Sequence, residues 1–170
     1  MKAILLGFIF STFFLNQQLF SQKMYSEKQI ENFKNKVIEI VDSNNKKTQI
    51  MVDKVFSFAE LGFQEIETSK YLTNILEKNE FEIDYGVSGI PTAWFAKWSN
   101  GEGPVIALGS DVDCIPKASQ FPGVAYHKPM IEGAPGHGEG HNSGVPVIIT
   151  AAIAVKEIMI KEKIGAVSYT

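Results

Sequence analysis

The feature that most restricts this fold is a change of hydrophobic period along the chain. From Ser26, apolar residues recur at three- and four-residue steps: Ile30, Phe33, Val37, Ile40 and Val41 line one helical face, and Ser26 with Gln29 has capping-box spacing. Asp42-Ser43-Asn44-Asn45 ends that helix and starts a second, which carries Val52, Val55, Phe56 and Ala59 on one side. A third places Ile66, Leu72, Ile75 and Leu76 inward and Glu67, Lys70 and Glu77 outward. The period then drops to two, and Phe81 to Tyr85 and Thr92 to Trp98 alternate as half-buried strands do. Pro104 to Gly109 is a short continuous apolar run, which predicts a strand buried on both faces. Val145 to Met159 is apolar on nearly every face until Lys156-Glu157, predicting a buried helix with Pro146 in its first turn. Helices, then strands, then a helix bury their faces best as an α/β layer structure. No internal repeat interrupts the series.

With 170 residues the chain has room for one domain and a moderate core, and 45% apolar with 21% charged residues is a globular composition. A net charge of −3 argues against nucleic acid as a partner. The N-terminus differs from the rest. Lys2 precedes an apolar stretch from Ala3 to Leu15, which suits a secretory signal and is short for a membrane span. Residues 1–21 are expected to be a signal peptide cleaved after Ser21, residues 22–170 the domain, and the destination periplasmic or extracellular. An uncleaved anchor is the alternative. Cys114, the single cysteine, cannot form an internal disulfide and reads as a small core residue.

Two polar clusters carry the candidate chemistry. Ser110-Asp111-Val112-Asp113-Cys114-Ile115-Pro116 follows the apolar run, where open α/β sheets place their reactive groups. Two acids two residues apart call for a cation or a proton between them. A solvated turn that uses Asp as a turn former is the plainer alternative. The second cluster, Gly133 to Gly144, contains His137, Glu139 and His141, separated by glycines that disfavour regular helix. An extended, tightly turned loop can bring such side chains to one point, and imidazole with carboxylate suits Zn²⁺ or, with more oxygen, Mn²⁺ or Co²⁺. The alternatives are a connecting loop in which Asn142 or Ser143 caps the next helix, and a phosphate cradle. The cradle is disfavoured because the glycine spacing lacks the dinucleotide fingerprint and no strand leads directly into it. The roughly twenty residues between the clusters, broken by Pro122, Pro129 and Pro135, are long for a structureless connection and point to a functional loop. His127 within it reads as a surface residue. The positive end of the following helix would favour an anionic group such as a substrate carboxylate.

Three blocks in order, Phe58-Ala59-Glu60-Leu61-Gly62-Phe63-Gln64-Glu65 through Thr68, Gly109 to Pro116, and Gly136 to Asn142, resemble the N-terminal part of the aminoacylase/carboxypeptidase-type zinc metallopeptidases. The likeness is greatest to their amidohydrolase branch, near the aminobenzoyl-glutamate utilisation protein B group. It implies a catalytic domain of helices around a mixed sheet and two zinc ions, with manganese or cobalt possible in their place. It also implies a small inserted domain through which complete members dimerise, and a small-molecule amide substrate bearing a carboxylate. It places Glu139 and His141 as metal ligands and Asp113 as the catalytic-site aspartate that orients a ligand, while His137 and Asp111 are expected as metal ligands from the loop and the acidic turn read above. Where the branch commonly has cysteine, this sequence has Glu139, a harder oxygen donor. The general-base glutamate and the remaining ligands are expected beyond the buried helix, so the chain alone is expected to be an inactive fragment. Two other classes stay open: a Mg²⁺-dependent phosphatase with Asp111 as nucleophile, and an exported binding module without catalysis.

Overall fold

The computed structural model describes residues 25–165 and 167–169. The expected signal peptide lies outside them. Three helices come first: α1 (Glu27–Ser43), α2 (Asn45–Phe58) and α3 (Ile66–Lys78). The capping box at the start of α1 forms as its spacing predicts, with Ser26 Oγ accepting from the Gln29 amide and the Gln29 side chain accepting from the Ser26 amide. Strands β1 (Glu82–Tyr85), β2 (Trp94–Ser99) and β3 (Val105–Ala107) follow, then helix α4 (His141–Glu162) and strand β4 (Val167–Tyr169).

The sheet is mixed, in the order β1-β2-β4-β3, with β1-β2 and β2-β4 antiparallel and β3-β4 parallel. Helix α4 packs against α1 and α2, while α3 covers β1 and β2. Met51, Val55, Leu72, Leu76, Phe81, Ala96, Val145, Ile149 and Ala152 form one core between these layers. Each fully buried aliphatic side chain there contributes about 1.5–3 kcal/mol. By length and composition α4 could cross a membrane, but half of its apolar window is buried inside the fold, as suits a core helix.

Several expectations change. Strand β3 is not buried on both faces: Val105 is 61% and Ile106 49% exposed, because β3 stands at the end of the strand order and pairs only with β4 among the described residues. Ile66, expected inward, is 65% exposed at the first position of α3, off the face on which Thr68, Leu72 and Leu76 are buried. Helix α4 starts four residues earlier than predicted, at His141, with Gly140 (φ 90°) as its cap. Pro146 therefore falls in the second turn, where its missing N–H leaves one helical carbonyl without its usual donor. Neither Asn142 nor Ser143 is the cap residue, and the Ser143 hydroxyl instead donates back to the Gly140 carbonyl at 2.7 Å.

Candidate metal site

The three sequence blocks that carry the resemblance meet beyond the end of β3. The first is an anchor. The Glu60 carboxylate accepts from the Glu67 and Thr68 amides at 2.9 and 2.8 Å, satisfying free donors at the start of α3. Its carbonyl accepts from the Cys114 amide at 2.7 Å, and Leu61 bridges Cys114 in parallel. The acidic turn is thereby tied to the helical layer, with Gly62 against the Asp113 side chain. The glycine loop is tied to the same turn from the other side, where Ile115 and Gly136 exchange both backbone hydrogen bonds at 3.1 Å. Only glycine fits at 136, because a Cβ there would stand 2.2 Å from the Ala118 carbonyl oxygen.

His141 sits at the centre. Its Nδ1 faces Asp113 Oδ1 at 2.9 Å and the Asp113 carbonyl oxygen at 3.2 Å. Both are acceptors, so Nδ1 carries the proton, and in the neutral tautomer this leaves the Nε2 lone pair facing outward. That nitrogen faces Glu139 Oε2 at 3.5 Å and Asp111 Oδ2 at 3.9 Å. Exposure rises outward, from 23% for the His141 side chain through 36% for Asp113 to 61% for Glu139 and 81% for Asp111. The site is a protein-anchored imidazole opening onto two solvated carboxylates.

His137 is not part of this group. Its Nε2–H donates to the Val55 carbonyl at 3.1 Å and its ring lies beside Phe56, so it is turned into the α2 layer. Its buried Nδ1 has no hydrogen-bond partner among the described residues. Burial, which outweighs the hydrogen bond to Val55, lowers its pKa and keeps the ring neutral. The expected alternation of three inward side chains fails because Gly140 turns the chain into α4 immediately after Glu139. His127 is exposed, as expected. Burial raises the Cys114 thiol to about 11, helped by the negative charges of Asp113 and Glu60, so it is a protonated core residue.

The donor set can be tested against a metal. In a tetrahedral site with bonds of about 2.0–2.2 Å, neighbouring donor atoms stand roughly 3.3–3.6 Å apart. The His141–Glu139 separation of 3.5 Å fits, and that of Asp111, 3.9 Å, is slightly long. Among the described residues, no group of three or more His, Cys, Asp and Glu side chains is arranged to hold an ion by itself. The residues fit one side of a metal site and do not close it. Glu60, whose backbone and side chain together position Cys114, was not foreseen as a site residue. Its one signal was its place in the first of the three blocks.

No protein-family profile matches the chain. It is 31% identical over 119 residues to one of the subunits of the p-aminobenzoyl-glutamate hydrolase of Escherichia coli strain K12, a match covering 70% of this chain and 24% of that protein. It is also 33% identical over 124 residues to a protein named thermostable carboxypeptidase 2 of Saccharolobus solfataricus, a match covering 72% of this chain and 30% of that protein. Solved structures share this chain's fold, among them the following two. One is described as an aminohydrolase from methicillin resistant Staphylococcus aureus, with a TM-score of 0.66 at 18% identity over 79% of this chain and 33% of that one. The other is a Bacillus subtilis protein described as a dinuclear metal-binding peptidase of the M20 family, with a TM-score of 0.55 at 23% identity over 75% and 34%. The chain thus spans about a quarter of the Escherichia coli relative's length. The blocks that resemble the metallopeptidase–amidohydrolase family are the ones that meet here: Leu61 bridged to Cys114, Asp113 on His141, and Ile115 on Gly136.

Proposed function

We propose that this chain supplies part of the catalytic domain of an exported, metal-dependent amidohydrolase. The substrate class would be an amide next to a carboxylate-bearing group, as in an N-acyl amino acid or an aminobenzoyl-glutamate-like compound. The observation that carries the reading is the Asp113–His141–Glu139 arrangement, in which a carboxylate fixes the ring through Nδ1 and leaves Nε2 beside a second carboxylate. His141 and Glu139 would hold one ion, with Asp111 at the open side. When bound, a divalent ion supplies Lewis-acid polarisation of a substrate carbonyl and acidifies water. The chain's own parts are narrower: Asp113 holds the ring orientation, and the N-terminus of α4 favours a substrate carboxylate nearby. Because these residues leave the site unclosed, the isolated chain would not turn over substrate. Zinc, manganese or cobalt suits the donors, and the oxygen of Glu139 tilts the preference towards manganese. Export rests on the sequence of residues 1–21 alone, and dimerisation on the family resemblance.

The phosphatase reading, with Asp111 as nucleophile and Asp113 as acid/base, leaves His141 without a role, and a plain binding module leaves the open Nε2 unexplained. A chimera separates them. Residues 26–163 would replace the matching part of the Escherichia coli relative, and the product would be assayed on p-aminobenzoyl-glutamate and on p-nitrophenyl phosphate. Metal-dependent amide hydrolysis that His141→Ala abolishes is expected. A folded chimera that hydrolyses only the phosphate ester, in an Asp111-dependent way, would replace this reading with the other.

A further inference from the structure

Asn100 closes the corner at the C-terminal end of α4. Its side-chain Nδ2 donates to the Met159 carbonyl at 3.0 Å and to the Ile164 carbonyl at 2.9 Å, so both amide hydrogens are committed there. Met159 carries one of the last four carbonyls of α4, which have no donor from within the helix. Two backbone bonds hold the same corner, from the Lys163 amide to the Ile160 carbonyl at 3.3 Å and from the Ile164 amide to the Met159 carbonyl at 2.9 Å. The turn that carries Asn100 also packs closely on it: a Cβ at Gly165 would stand 2.6 Å from the Glu102 carbonyl oxygen. Of the nine asparagines in the chain, Asn100 alone is followed by glycine. A glycine has no side chain to shield its nitrogen or restrict its backbone, so that nitrogen can reach the carbonyl carbon of the preceding side chain. Gly101 is exposed, has φ 95°, and its amide donates no hydrogen bond among the described residues.

We propose that Asn100 is a site of spontaneous deamidation, and that its conversion unlocks the α4 corner. Hydroxide takes the proton of the Gly101 amide, and the nitrogen attacks Asn100 Cγ to close a succinimide ring. The bond from Cγ to Nδ2 breaks, and that nitrogen leaves as ammonia. Water then adds to either ring carbonyl and opens the ring, giving an aspartate or an isoaspartate linkage. One water is consumed and one ammonia released, with no oxidant or reductant. The departing nitrogen is the one that bonds Met159 and Ile164. An aspartate in its place only accepts, so it faces two carbonyl oxygens with no hydrogen to share. It also adds negative charge at the negative end of α4. An isoaspartate linkage adds a methylene to the main chain of a turn with no spare room against Gly165. Either product loses both hydrogen bonds and opposes their return. The corner lies at the opposite end of α4 from His141, and the proposal stands whether or not the site there binds metal.

The test ages the folded 170-residue chain at about pH 9, with a parallel sample in urea that sets the length of the incubation. Peptide mass spectrometry that separates aspartate from isoaspartate follows each asparagine. In the folded chain Asn100 should convert at least tenfold faster than any other asparagine, and faster than in a third sample kept at about pH 6. Hydrogen exchange then reads the corner. The amides of Lys163 and Ile164 should exchange at least tenfold faster in the aged chain than in the fresh one, and Asn100→Asp should reproduce the change. Should Asn100→Asp fail to fold, the aged wild type carries this measurement alone. An Asn100 that keeps its amide in the folded chain while the urea sample converts would overturn the proposal. So would a converted chain whose Lys163 and Ile164 amides exchange as before.

Discussion

His141 donates its Nδ1 proton to Asp113 Oδ1 at 2.9 Å, and this contact decides which ring nitrogen is left free. Asp113→Ala removes the nearer of the two acceptors and leaves only the backbone carbonyl at 3.2 Å, so the Nε2–H tautomer should gain population, readable by ¹⁵N chemical shifts of His141. Asp113→Asn keeps an acceptor oxygen and should largely preserve the Nδ1–H form. The alanine variant should also lose about 1–2 kcal/mol of stability in urea unfolding, and the asparagine variant less.

The glycine loop predicts a contrast between two neighbouring substitutions. A Cβ at Gly136 would sit 2.2 Å from the Ala118 carbonyl oxygen and 2.8 Å from the Ser119 nitrogen, both backbone atoms with nowhere to go. At Gly138 the nearest atom, at 2.6 Å, is the Cδ1 tip of the Ile115 side chain, which can rotate. Gly136→Ala should cost about 3 kcal/mol or more in denaturant unfolding, and Gly138→Ala about 1 kcal/mol.

Lys156 is 5% exposed within the apolar helix α4, yet it is fully engaged. Its ammonium donates to the Asn79 carbonyl at the end of α3 and to Glu80 at 3.0 Å, and lies 5.3 and 5.5 Å from the Phe81 and Trp98 ring centres. Lys156→Met keeps the stem and loses the head group, and should cost about 1–3 kcal/mol by chemical denaturation. Glu80 is 84% exposed, so Glu80→Gln should cost about 0.5 kcal/mol or less. The carbonyl and the rings, rather than the exposed carboxylate, hold this lysine.

Cys114 gives a pH dependence with a definite sign. Its folded pKa is raised from 9.0 to about 11, chiefly by burial, so the folded state keeps a proton that the unfolded state releases. The stabilisation is whole below about pH 9 and is lost as pH rises towards 11. Cys114→Ala should flatten the fall in stability across that window. In the native protein at pH 8 the thiol should react with Ellman's reagent at least a hundredfold more slowly than in urea.

The helical layer was legible in the sequence because period carries it: the Ser26–Gln29 box and the Leu72–Leu76 stripe are local signals that tertiary packing only ratified. Strand β3 was misread because Val105-Ile106-Ala107 is equally apolar whether buried or at an edge, and strand order is decided by residues far away. The site was half legible. Residue types and spacing pointed to Asp111, Asp113, Glu139 and His141, but the symmetric His-Gly-Glu-Gly-His pattern hid the fact that a left-handed Gly140 starts a helix at its second histidine. That turn separates His137 from the group. Glu60 went unnoticed because a carboxylate capping a helix start seven residues on has no periodic signature.

His141 Nε2, with Glu139 beside it, is the point at which a divalent ion should bind. Isothermal titration of the purified, chelator-treated 170-residue chain with Zn²⁺ and with Mn²⁺ measures this directly. Binding that weakens tenfold or more in both His141→Ala and Glu139→Gln, with native circular dichroism retained, is the predicted result. Identical titration curves for the wild type and His141→Ala, or no heat of binding with either metal, would contradict it.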